Sequence, residues 1–134
     1  MSPRPAEFVR WVSPSEIWAA ELVNDAKALT WEHEAEHLLL QLATGGLALV
    51  KGGRDGVTFS LGGGIEARSL HMMLKGREVQ VGHIYWHTHP RVTGPSDGDL
   101  EALEILGQSE SVIFELGGDP NGTRIRPKSG HSTP

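Results

Sequence analysis

A chain of 134 residues can close one hydrophobic core but hardly two, so any chemically active side chains should share one site or compete for it. Cysteine is absent, which excludes disulfides, a thiolate nucleophile and cysteine zinc ligands, and leaves His, Asp and Glu to hold any metal. The formal charge of -5, with Arg124, Arg126 and Lys128 as the nearest approach to a basic run, gives no footprint for nucleic acid, and no apolar run approaches a membrane span.

The opening MSPRPAEFVRWV lacks the apolar core of a signal peptide. The expected location is therefore the cytoplasm, or delivery as part of a larger secreted effector. Ser13-Pro14-Ser15-Glu16 reads as a helix start, with Pro where no N–H is needed and Glu near the positive end of the dipole. Ile17, Ala20, Leu22, Val23, Ala26 and Leu29 then form one stripe and predict a helix over 14–29. After Thr30 the period is ambiguous: HLLLQLA, a TGG turn and LALVKGG predict a hairpin, whereas HEAEHLLLQLA also reads as a helix running straight on.

Arg54-Asp55-Gly56 turns the chain into a strand, VTFSL. Beyond the break at Gly62-Gly63-Gly64, the spacing of Ile65, Leu70, Met73 and Leu74 predicts a helix over 65–74, stopped by Lys75-Gly76. VQVGHIYWHTH, residues 79–89, is rich in β-branched and aromatic side chains and predicts the strongest strand, ending at Pro90. After the RVTGP loop, Ser96 caps a helix that carries Asp97 and Asp99 in its first turn. SVIFEL and TRIRP are short strands around a GGDPNG turn, and residues 128–134 read as a frayed tail. One domain spanning 1–134, with its core over about 14–127, is the expected organisation. Trp11, Trp18 and Trp31 are expected as core or staple residues rather than substrate contacts.

Two histidine pairs have metal spacing. In HEAEH, His33 and His37 would lie one helical turn apart with Glu34 between them, the arrangement of a helical zinc peptidase. In IYWHTHP, His87 and His89 stand two apart on a strand and so share a face, with Asp99 able to return as a third ligand. By chance, H-E-x-x-H arises in roughly one chain in thirty of this composition, and H-x-H-P-x5-S-x2-D in on the order of one in ten thousand. The second pair is the better candidate. Strand parity also puts His83 and Tyr85 on the face of His87 and His89, as possible walls of a cleft.

The H-T-H-P run followed by S-x-x-D resembles the zinc signature of the JAMM (JAB/MPN) metalloproteases. The resemblance implies an α/β (α+β) fold of the MPN kind, a curved mixed, mostly antiparallel sheet flanked by helices. It also implies one zinc ion per chain, held by His87, His89 and Asp99, with Ser96 steadying an oxyanion and a glutamate at the opening of the first strand acting as base. Glu36, in phase with Leu38, Leu40 and Leu42, is the choice for that base, with Glu34 in reserve. Nine residues separate His89 from Asp99, one fewer than is usual in the family, which makes Asp97 an alternative ligand. The activity implied is hydrolysis of a peptide or isopeptide bond in a protein or peptide substrate, such as one following a ubiquitin-like tail. TGPSDGDLEALEILGQSESVIFELGG is also similar, more loosely, to JAB-type domains of bacterial polymorphic toxins. The rival readings are a catalytically inactive MPN scaffold that binds proteins, an HExxH zincin using His33, Glu34 and His37, and a RadC-like role near DNA, which the acidic balance disfavours.

Overall fold

The computed structural model describes residues 6–54, 59–62 and 68–127. Among these, β1 (Glu7–Val12), helix α1 (Ala20–His33), β2 (His37–Leu42), β3 (Leu47–Lys51), β4 (Ser60–Gly62), β5 (Ser69–Leu74), β6 (Arg77–His89), α2 (Asp97–Leu106), β7 (Ser111–Glu115) and β8 (Thr123–Ile125) follow in order. The strands form one sheet in the order β1-β3-β2-β6-β5-β4, and β7 joins the other half of the β6 edge and carries β8. Every pairing is antiparallel except β6 with β7. The architecture is thus α+β, a mixed and mostly antiparallel sheet flanked by helices, as the sequence led us to expect.

The run Leu38-Leu39-Leu40 shows how the two layers attach. Leu38 and Leu40 join Val50, Met72, Val81, Ile84 and Ala102 of α2 in one core cluster. Leu39 belongs to the opposite face, with Leu49, Trp86, Phe114 and Leu22, Val23 and Ala26 of α1. A strand buried on both faces reads as a continuous apolar run rather than an alternation. Leu39 and Leu40 are both fully buried, and truncating either to Ala would cost about 2–5 kcal/mol.

Several sequence expectations are corrected. The Ser13 start signal nucleates only a single 3-10 turn, Pro14–Glu16, closed by the Ser13–Glu16 capping box. The Ile17 carbonyl turns away to accept the buried Trp86 indole N–H at 2.8 Å, and α1 begins afresh at Ala20 and runs on to His33. EFVRWV, left unassigned above, is the edge strand β1 paired with β3. The helix expected over 65–74 is instead, in its described part, strand β5, with Leu70, Met72 and Leu74 buried at a period of two. Lys75 (φ 52) and Gly76 (φ 76) form the two-residue left-handed turn that such a hairpin favours. Of the strand expected at VTFSL, β4 covers Ser60 and Leu61; residues 55–58, most of the following Gly-rich break and the 128–134 tail lie outside the described residues. Trp11, Trp18 and Trp31 are exposed rather than in the core, and Trp86 is the tryptophan that fills it.

Strand β6 carries two irregularities that matter for the site. Leu39 and Leu40 of β2 face Trp86 and Ile84, and Gln41 and Leu42 face His83 and Val81, so Tyr85 and Gly82 are each an extra residue on β6. A bulge of this kind reverses the faces of the side chains beyond it. Ile84 and His87 therefore lie on the α2 face although three residues apart. Tyr85 packs on the α1 face, against Trp18.

Candidate metal centre

His87 and His89 leave the C-terminal end of β6 on the α2 face, and Thr88 between them points to the α1 side. Asp99 reaches the same point because Ser96 caps α2. Ser96 Oγ accepts the Asp99 N–H at 3.0 Å, and Asp99 Oδ2 accepts the Ser96 N–H at 2.9 Å. This reciprocal box fixes the third residue of the helix as well as its start. Glu36 precedes β2, yet its backbone is still in register. Its N–H donates to the Gly53 carbonyl at 2.9 Å, and its carbonyl accepts from the Gly52 N–H at 2.7 Å. These bonds extend the β2–β3 ladder and keep Glu36 in phase with Leu38 and Leu40.

The four side chains converge. Their donor atoms lie within 4.8 Å of one another. His87 Nε2 is 3.1 Å from His89 Nε2, and both nitrogens are 3.4 Å from an Asp99 oxygen. Glu36 Oε2 is 3.6 Å from His89 Nε2. A tetrahedral zinc ion with bonds of about 2.0–2.1 Å sets neighbouring donors roughly 3.3 Å apart, so the three-ligand set fits without rearranging the backbone. His87, His89 and Glu36 are 4%, 3% and 7% exposed, and His89, Glu36 and Asp99 line a cleft of about 220 Å³ together with Ser96.

The electrostatics favour a cation at this point. Burial pulls the His89 imidazole down, but hydrogen bonding to Asp99, the Glu36 charge and the Glu115 hydrogen bond outweigh it and raise its pKa to about 9. Burial pushes the Asp99 carboxyl up, but His87 and His89 hold it well below the usual carboxylate range. Without a metal, a proton on His89 supplies the positive charge that the carboxylates require.

Glu115 was not singled out in the sequence. The parallel pairing of β6 with β7 sets it beside His89, and its Oε2 accepts from His89 Nδ1 at 3.0 Å and from the Thr93 and Gly94 N–H groups at 2.9 and 2.8 Å. An imidazole that donates from Nδ1 presents Nε2 as its metal-binding atom. Burial works against the Glu115 charge, but these donors hold its pKa below the ordinary glutamate value. The same oxygen pins the short loop between His89 and Ser96.

The other candidates lie elsewhere. His33 ends α1, Glu34 takes a left-handed conformation (φ 50), and His37 opens β2, so HEAEH does not lie on one helix. Glu34 is exposed and pairs with Arg54. His37 is 1% exposed. Its Nδ1 donates to the Ala35 carbonyl at 3.0 Å and lies 3.0 Å from Thr30 Oγ1, while Thr88 Oγ1 accepts the His37 N–H. Burial lowers its pKa, which suits a neutral structural imidazole. Asp97 is exposed and outside the four-residue group. His83 and Tyr85 do not line the metal cleft, because the bulge at Tyr85 turns it to the other face. They line a separate, larger pocket of about 480 Å³ with Trp18. Its size does not make it the reactive site, since among the described residues only the Glu36 group assembles three or more metal-binding side chains.

No helix among the described residues is long and apolar enough to cross a membrane. In comparisons with known proteins, no family model, curated protein or solved structure matches this chain.

Proposed function

We propose that this chain is a zinc-dependent metallopeptidase or isopeptidase that hydrolyses an amide bond in a protein or peptide. The observation that carries the reading is the convergence of His87, His89, Asp99 and Glu36, of which His89, Asp99 and Glu36 line one cleft. A zinc ion held by His87, His89 and Asp99 would supply Lewis acidity, polarising the scissile carbonyl and lowering the pKa of the attacking water. Glu36 takes a proton from that water at its carboxylate and delivers it to the departing amine nitrogen. Ser96 Oγ accepts the Asp99 N–H through a lone pair and keeps its own proton to donate to the developing oxyanion. Glu115 holds His89 in the tautomer and orientation that ligation requires.

The resemblance to JAMM proteases supports the same roles, and supplies the finer idea that the bond follows the tail of a ubiquitin-like protein. The looser likeness to toxin domains supplies an effector setting. The test is cleavage by the zinc-loaded protein, measured on an unstructured peptide library and on isopeptide-linked ubiquitin chains, for wild type and Glu36→Gln. Cleavage by wild type and its loss in a variant that keeps zinc is the expected result. Undiminished cleavage by Glu36→Gln would remove Glu36 as the base, and no cleavage by zinc-loaded wild type would contradict the peptidase reading.

A further inference from the structure

The metal cleft continues past its rim. A second pocket of about 280 Å³ shares Arg54, Pro90 and Arg91 with it and extends to Trp31 and Leu116. Three features give this extension its chemistry. Trp31, in the last turn of α1, is 77% exposed, the most exposed large apolar side chain among those described. The Arg54 guanidinium is already engaged by Glu34. Arg91 borders both pockets, and among the described residues no carboxylate or other partner engages its guanidinium. An indole face offers stacking area, and an unengaged guanidinium offers a two-pronged site for a carboxylate.

We infer that this extension is the specificity subsite of the proposed peptidase, and that it takes an apolar or aromatic side chain on Trp31 next to a substrate carboxylate on Arg91. The inference rests on the peptidase reading, because it assigns the substrate segment beside the bond held at Glu36 and Asp99. Glu36 and Asp99 would serve the metal, so Arg91 is left as the charge that selects the substrate. The carboxylate can come from an acidic side chain or from the C-terminal end of a peptide.

The test uses dye-labelled hexapeptides with Phe-Asp, Phe-Asn, Ala-Asp or Phe-Lys at one adjacent pair of positions, each with a free and an amidated C-terminus. They are titrated by fluorescence anisotropy against zinc-loaded Glu36→Gln protein. Phe-Asp binds tightest, and Asn in place of Asp weakens binding by about tenfold, the scale of one charge-assisted hydrogen bond. Arg91→Gln removes that difference. Trp31→Ala removes the preference for Phe over Ala, about threefold to tenfold, and keeps the preference for Asp. Both side chains are exposed, and unchanged melting temperatures show that the variants are folded.

A tenfold difference between free and amidated ends, in place of one between Asp and Asn, assigns the subsite to a C-terminal carboxylate. Equal binding of all the peptides, or tightest binding of Phe-Lys, overturns the subsite. With Glu36 intact, Phe-Asp peptides show a raised KM and an unchanged kcat when Arg91 is replaced. Cleavage with no change in KM in either variant sinks the subsite and leaves the peptidase reading standing. Selective binding with no cleavage of any peptide sinks the peptidase reading, and with it the role in cleavage specificity, and leaves the extension as a peptide-binding site.

Discussion

The two histidine pairs both have metal spacing in the sequence and end in opposite roles. His87 and His89 stand two apart on a strand, share a face and meet Asp99 and Glu36. His33 and His37 stand four apart, but a helix ends between them, so one is exposed at the end of α1 and the other is buried at the start of β2. Ligand spacing has meaning only in the element that carries it. Four residues bring side chains together on a helix and separate them across a helix-to-strand junction. His37 still serves the ligand pair, because it and Thr30 bond to Thr88, between the two ligands, and so tie α1 to the strand that presents them.

The sharpest way to break this division is through Glu36. Glu36→Gln should retain zinc and lower turnover by about a hundredfold to ten-thousandfold, measured as initial cleavage rate beside metal content. A variant that loses zinc instead would make Glu36 a ligand rather than a base. Next comes His37→Ala, which opens a cavity and strands the polar groups around it, at about 2–4 kcal/mol. Calorimetry should show a melting temperature lower by roughly 10 °C, whereas His33→Ala should melt like wild type. Equal melting of the two variants would contradict the assignment of His37 to a structural network.

Smaller still, Glu115→Ala should weaken zinc binding by about tenfold to a hundredfold in a chelator competition, with stoichiometry unchanged at saturating metal. An unchanged affinity would reduce Glu115 to a loop anchor. The gentlest handle is pH. The folded pKa of His89, about 9, lies above its ordinary value of 6.5, so its protonated form stabilises the metal-free fold fully below about pH 6.5, and this is lost as pH rises toward 9. Zinc needs the unprotonated Nε2, so its apparent affinity should rise about tenfold per pH unit through the same window for each proton displaced. A flat affinity between pH 6.5 and 9 would show that no such proton is released.

What could be read from the sequence was local. The His87–His89 face, the Ser96 cap and the Asp99 position each depend on a few consecutive residues, and β2 and β3 on a run and a turn. What could not be read depends on partners far along the chain. Glu115 meets His89 only through a parallel strand pairing, and the reversal of Tyr85 is a property of the β6 register against β2, invisible to a period-of-two reading of either strand. Strand β5 was misread because Leu70 and Leu74 satisfy both periods, and its alternation became visible only with Met72 buried opposite β6. Trp31 reads as a core or staple residue because apolar residues are more often buried than displayed, a tendency that does not bind a side chain at the edge of a cleft.

The most direct measurement is zinc content per chain by plasma mass spectrometry, on wild type, His89→Ala and His33→Ala purified without a metal-binding tag and reconstituted with zinc. The account predicts about one zinc in wild type and in His33→Ala, and almost none in His89→Ala. Loss of zinc in His33→Ala with retention in His89→Ala, or no zinc in wild type, would contradict it.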